Sequence, residues 1–358
     1  MKSPVVLAIA FTIALSTQPS LANPTWQSIL KDAQTQYGLG DFTNAERNFK
    51  AAISRAQQAG ISDNSQVDMI HGLADTLMAE GKLKEAEQQY LRCLNMTEKT
   101  RGAENPSIAD LSERIAGIAF LNARYADAEQ QYIKAIGIRR QAKPIDNVAI
   151  AGDLNNLAAC SVYLNKYPDA EKYIQEGLTA MDKEKKIGDQ GVKVHILRTQ
   201  AMLLEKQGKT KEAEAALKGS LSIAETCTFE NDSLLAASFN ELGRFYIKQK
   251  NYAEAQSALE SAVQIADQLK FGAEHPILET SLANLAAAYI DDNKFDKAES
   301  PLIRAIGINE KFGDMGKDAL KGNLTDYAKI LEATHRAKQA DEIKERLNKL
   351  SATETNTQ

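Results

Sequence analysis

A small residue recurs along this chain at a spacing that no single helix can generate. Ala45, Ala86, Ala128, Ala170, Ala213, Ala255, Ala298 and Ala340 follow one another at intervals of 41 to 43 residues. Helical amphipathicity repeats at about 3.6 residues and carries no memory over that distance. The interval therefore marks a structural unit copied eight times. A unit of this size cannot bury an apolar face alone, so its copies must stack and each must pack chiefly on its neighbours. A chain of 358 residues would otherwise be parsed into two or three globular domains; the repetition overrides that division.

The stretch from Leu282 to Ala305 displays the unit most clearly. Leu282, Leu285, Ala286 and Tyr289 fall at i, i+3, i+4 and i+7 of one helix, Asn293 interrupts, and Phe295, Ala298, Leu302 and Ala305 form the stripe of a second. Three positions before each recurring alanine the second helix opens, with Phe42, Leu83, Tyr125, Tyr167, Thr210, Tyr252, Phe295 and Ala337. Four positions after it comes a bulky filler: Phe49, Tyr90, Tyr132, Ile174, Leu217, Leu259 and Leu302. The eighth unit has Lys344 there, as befits a terminal copy whose outer face meets water. Gly40, Gly81, Asn165, Gly208 and Asn293 fill the break between helices, and these types tolerate the left-handed conformation that ends a helix. Ala123, Lys250 and His335 stand there in the other units, so their turns are expected to be built differently, using Asn122 or Asn251 one position away.

The expected class is all-α, which suits 43% apolar residues with only 6% aromatics and eight prolines. The units fall near 26–61, 66–106, 107–146, 149–187, 192–230, 234–274, 276–313 and 318–350. Pro106 and Pro276 fit the first turns of helices, and His275 beside Pro276 reads as turn chemistry. Ser351 to Gln358 has no apolar period and is expected to be a disordered tail. At the other end, Lys2, the apolar run Val5 to Leu15 and the small residues of Ser20-Leu21-Ala22 form the pattern of a signal peptide, residues 1–22, cleaved after Ala22. The apolar run is too short to span a bilayer. The mature protein, 23–350 plus its tail, is thus expected to be exported, periplasmic or secreted, with no membrane insertion. Cys93, Cys160 and Cys227 are too few and too far apart for a disulfide framework, and Cys93 and Cys160, within apolar helical stripes, read as packing residues.

Phe239-x-x-Leu242-Gly243-x-x-Tyr246 followed by Tyr252, Ala255, Leu259 and Ala262 resembles the tetratricopeptide repeat. The period of 42 residues, Leu154 to Ala158 (LNNLA), Leu282 to Ala286 (LANLA) and Gly272 to Pro276 (GAEHP) resemble the kinesin-light-chain type of that repeat. The resemblance implies a right-handed α-solenoid of about eight helix-turn-helix repeats, with first helices lining a concave face, and a scaffold that binds protein or peptide partners.

Catalytic signatures are missing: the chain has no G-x-S-x-G, HExxH, phosphate-binding glycine loop or CxxC, so no enzyme activity, cofactor or metal is expected. A net charge of −5 gives no basic field for nucleic acid. The family resemblance assigns a groove role to the asparagine before the Leu of NLA, matched here by Asn156 and Asn284; Asn155 and Asn240 stand beside the same stripe. The other units carry Lys31, Gly72, Arg114, Thr199, Glu241 and Asp326 at that place. Charge along the first helices changes sign, from Asp68, Asp75, Asp110 and Glu113 to Arg198, Lys206, Arg244 and Lys248. A groove positive at one end would steer a ligand with an acidic segment. Tyr37, Met78, Phe120 and Val162 are candidates for its apolar floor, and carboxylates such as Glu85 and Glu87 read as a solvated outer face near Lys82 and Lys84. The expected function is a peptide- or protein-binding scaffold; the alternative is self-association into a structural component of the cell envelope.

Overall fold

The computed structural model describes residues 24–182, 184, 190–227, 232–269, 276–311 and 316–355. The expected signal peptide and its cleavage site, and His275 of the turn, lie outside the described residues. Sixteen α-helices and no strand are found among those described. The chain forms two compact units, one through Met96 and one from Thr97.

The first unit holds α1 (Trp26–Gly38), α2 (Phe42–Gln58), α3 (Asp63–Ala79) and most of α4 (Leu83–Arg101). Thr25 and Asp41 cap α1 and α2, their side-chain oxygens accepting from the amides of Ser28 and Asn44. Phe49 lies against Gly72 of α3, where a Cβ would come within 2.6 Å of the ring. Glycine is needed there so that a large filler can reach the neighbouring backbone.

The second unit continues with α5 (Pro106–Leu121), α6 (Tyr125–Gln141), α7 (Asn147–Tyr163), α8 (Tyr167–Met181), α9 (Gln190–Lys206) and α10 (Thr210–Thr226). It ends with α11 (Asp232–Lys248), α12 (Tyr252–Asp267), α13 (Pro276–Asp291), α14 (Phe295–Lys311), α15 (Lys317–Ala333) and α16 (Ala337–Thr355). In this unit each odd-numbered helix packs on the even one after it, and α7 also packs on α9, as α11 does on α13. That nearest-neighbour pattern is an all-α solenoid of helix-turn-helix repeats. Its buried residues form successive local clusters, one around Tyr132 and Leu157 and another around Leu259 and Leu302. Several helices start one to three residues before the sequence-based bounds, because polar residues such as Asp146, which caps α7, precede the apolar stripe.

The eight recurring alanines are at most 1% exposed, and the seven bulky fillers are buried around them. Lys344 instead reaches Glu332 at the surface, and Ile343, Leu347 and Leu350 close the last unit. The expected disordered tail needs correction: α16 runs on through Thr355, leaving only 356–358 outside the description. No Gly or Pro stops the helix after Leu350, and the Ser351 hydroxyl donates back to the Leu347 carbonyl.

A second correction concerns the turns. Ala123, Lys250 and His335 adopt the same left-handed backbone as their glycine and asparagine counterparts, with φ of 56°, 58° and 60°. The amide of the next residue reaches five positions back in all of them, as in Arg124 to Ala119 (2.8 Å), Asn251 to Tyr246 (2.9 Å) and Arg336 to Leu331 (2.8 Å). Gly81 does likewise, with Lys82 to Leu77 at 2.9 Å. This is the Schellman closure, and the packing of the paired helices imposes it whatever the side chain. Asn122 and Asn251 do not replace it.

Candidate functional site

The residues facing the first-helix side of the second unit are organised by one register. Asn155 Oδ1 of α7 accepts from the Thr199 hydroxyl of α9 at 2.7 Å. Arg198 Nη2 of α9 lies 3.4 Å from Glu241 Oε1 of α11. Asn284 Nδ2 of α13 donates to Asn240 Oδ1 of α11 at 2.9 Å. Each link joins the fifteenth residue before one recurring alanine to the fourteenth before the next. The stacked helices therefore carry a polar seam, which satisfies side chains that the packing has removed from water.

Beside the seam lies a cavity of about 420 Å³. Arg198, Met202, Glu205 and Lys206 of α9 and Glu241, Arg244 and Lys248 of α11 line it, with Asn155 and Tyr163 of α7 at one end. Their spacing of three, four or seven residues puts each set on one helix face. Four cations meet two carboxylates here, so the groove is positive on a chain whose net charge is −5. Lys248 Nζ sits 2.6 Å from Glu205 Oε2, and Arg244 Nη1 lies 3.2 Å from Glu241 Oε1. His195 is on the same wall; desolvation of the imidazole, then the Arg198 charge, hold its pKa below the ordinary value.

Of the seven residues singled out from the sequence, the structure brings Asn155, Arg198, Arg244 and Lys248 to this cavity. Asn240 is 3% exposed and serves the seam with Asn284. Asn156 accepts from Asn155 Nδ2 at 3.3 Å and lies outside the cavity lining. Val162 is buried at 1% exposure, so it forms no floor; its neighbour Tyr163, 45% exposed, faces the cavity instead. The Tyr163 ring stacks on Tyr125 at 4.5 Å and meets Phe120 edge-on at 5.5 Å, a geometry that holds it in place.

The acidic residues assigned to the early part of the same stripe are otherwise engaged. Arg139 of α6 donates to Asp153 (2.6 Å), Asp110 (2.7 Å) and Glu113 (2.7 Å). Asp153 is 1% exposed, and burial pushes its carboxyl up to about 7 even though Arg139 pulls the other way. In the first unit Asp75 accepts from the Tyr90 hydroxyl.

A further set of links was hidden in the sequence. After four of the recurring alanines, the next residue meets a turn residue of the following repeat: Glu46 with Lys82 (2.6 Å), Glu129 with Lys166 (2.7 Å), Gln256 with Lys294 (3.1 Å) and Glu299 with Arg336 (2.8 Å). Lys82 is therefore tied to Glu46, as well as to Glu80 at 3.0 Å, while its side chain stays exposed. The clue was the spacing of 36 to 38 residues between acid or amide and base. Among the described residues no group of His, Cys, Asp and Glu is disposed to hold a metal, and no helix is long and apolar enough to cross a membrane.

With that geometry in view, the family model described as tetratricopeptide repeat matches residues 65–141 and 234–311. Those two stretches are tetratricopeptide repeats. Among curated proteins the chain is similar to the RxLR effector protein SFI4 of Phytophthora infestans, 27% identical over 154 residues. That match covers 39% of this chain and spans 42% of the relative's length. Among solved structures it is similar to BtubC (BKLC) from P. vanneervenii, with a TM-score of 0.59 and 18% identity over 64% of this chain and 92% of that one. It is also similar to a Rap protein complexed with Competence and Sporulation Factor, with a TM-score of 0.53 and 14% identity over 93% and 99% of the two chains. These structural likenesses are likenesses of fold.

Proposed function

We propose that this protein is a non-enzymatic scaffold whose groove between α7, α9 and α11 binds an acidic segment of a protein or peptide partner. One observation carries the reading: Arg198, Lys206, Arg244 and Lys248 converge on a single cavity of about 420 Å³ in an otherwise acidic chain. A cleft lined by one dominant sign focuses its field and draws in ligand of the opposite sign. Tyr163 supplies a rigid apolar surface next to the cations, as peptide-binding sites commonly do. The similarly folded Rap protein is complexed with Competence and Sporulation Factor, which supports binding as a use of such repeats.

The test is fluorescence anisotropy with a labelled oligoglutamate peptide, and an oligolysine peptide as its opposite. Wild type should bind the first in a salt-dependent manner and ignore the second. Lys206→Glu and Arg244→Glu should weaken binding at least about tenfold, the scale of two lost charge contacts. Equal binding by wild type and both variants would sink the groove reading. Export belongs to the same proposal, supported by the N-terminal pattern described from the sequence. Protein isolated from its native source should begin at Asn23; an N-terminus at Met1 would refute it.

A further inference from the structure

The groove's cations are not bare. Glu241 Oε1 lies 3.4 Å from Arg198 Nη2 of α9 and 3.2 Å from Arg244 Nη1 of its own helix, so one carboxylate bridges two guanidiniums. Its other oxygen is 3.3 Å from Arg244 Nη1. Across the same cavity, Glu205 Oε2 holds Lys248 at 2.6 Å. Both carboxylates are sheltered, at 22% exposure for Glu205 and 31% for Glu241. Arg198 contributes a buried Nε that has no hydrogen-bond partner among the described residues.

We infer that Glu205 and Glu241 are built-in competitors for the groove, determining which acidic segments it accepts. This rests on the groove reading proposed above and adds the selecting groups. An arriving carboxylate gains a cation only by displacing a resident one, and it meets the repulsion of that resident as it does so. A segment with a single acid therefore gains almost nothing over the internal pairing. A segment with several adjacent acids engages Lys206 at the outset and can exchange for both residents together. Selection comes from repulsive groups as much as attractive ones. The arrangement also keeps the free groove from attracting every passing anion.

Glutamine keeps the size and the acceptor oxygen of glutamate while removing its charge, so Glu205→Gln and Glu241→Gln isolate the effect. Both are compared with wild type against labelled oligoglutamate and against a peptide of the same length carrying one glutamate among serines. Glu212→Gln, an exposed carboxylate in the first turn of α10 and outside the cavity lining, controls for net charge. Thermal melts confirm that each variant is folded. The expected result is roughly 3- to 10-fold tighter binding for each groove variant, the scale of a partly exposed ion pair. The single-acid peptide should gain by the larger factor, and both gains should shrink at high salt.

Unchanged or weaker binding by folded Glu205→Gln and Glu241→Gln, with wild type still binding and Arg244→Glu losing it, overturns the inference and leaves the groove reading standing. An equal gain in Glu212→Gln overturns it as well, because net charge alone would then explain the effect. Wild type and Arg244→Glu binding alike would remove the groove reading and this inference with it.

Discussion

Asn284 Nδ2 donates to Asn240 Oδ1 across α13 and α11 at 2.9 Å, and Asn240 is 3% exposed. The asparagine that resembled a ligand contact is thus part of the joint between two repeats. Asn284→Ala would leave a buried acceptor without its donor, a cost of about 1–3 kcal/mol. Urea denaturation should show that loss, while oligoglutamate affinity stays near wild type. A large loss of affinity with unchanged stability would return Asn284 to the groove.

The left-handed turns offer a test of the opposite sign. Ala123, Lys250 and His335 hold φ near 60° with a Cβ present, which costs roughly 1–2 kcal/mol relative to a conformation the side chain prefers. Part of any gain from glycine is offset by the greater freedom of the unfolded chain. Ala123→Gly and Lys250→Gly should each raise stability by up to about 1 kcal/mol. Destabilisation by either would show that the side chain is needed where it stands.

Two glycines in helix interiors should respond in opposite directions to alanine. At Gly243 an added Cβ would lie 2.4 Å from Leu259 Cγ, so Gly243→Ala should overpack the crossing and cost about 1–3 kcal/mol. At Gly307 nothing lies within 4 Å, so Gly307→Ala should stabilise α14 by about 0.5–1 kcal/mol. Melting temperatures of the two variants, measured side by side, decide the matter. Similar shifts in both would contradict the packing described for α11 and α12.

The Arg139 cluster predicts a pH dependence. Burial raises the Asp153 carboxyl from 3.8 to about 7 in the folded protein. Folding therefore favours its protonated form, so its contribution is fully present below the unfolded value and is lost as pH rises through the folded one. Asp153→Asn has no such loss. Its stability relative to wild type should improve as pH is raised from about 4 to 7 and then level off. Denaturant midpoints across that range give the curve. A gap that widens toward acid would show that Arg139 governs Asp153 more than burial does.

Much of the fold is written locally. The alanines at intervals of 41 to 43 residues, their bulky partners and the aromatic helix starts all act within one helix pair, so periodicity exposes them. Ala123, Lys250 and His335 misled because intrinsic preference points away from φ above zero, whereas two packed helices leave no other closure. The groove was half legible. Arg198, Arg244 and Lys248 announced themselves by charge, but the pairing of Glu241 with Arg198 and of Glu205 with Lys248 exists only where α9 and α11 stand side by side. Tyr163 was missed by one position in favour of Val162, since both are apolar and only the helix rotation tells which is turned inward. Pairings such as Asn240 with Asn284 depend on the stacking register of neighbouring repeats, which no short window contains.

The ties between Glu129 and Lys166 and between Glu299 and Arg336 use the same two places in successive copies. At these joints one repeat ends in a coupling of one gender and the next begins in the other. Removing the whole segment from Tyr167 to Lys209 would bring Lys166, the base already facing Glu129, up against Thr210, where Lys209 had stood. The joint would be restored rather than broken. Such a chain can be shortened or lengthened in steps of one full repeat, and the span of its binding face would change in those steps, while a deletion of ten or twenty residues would leave unmatched ends.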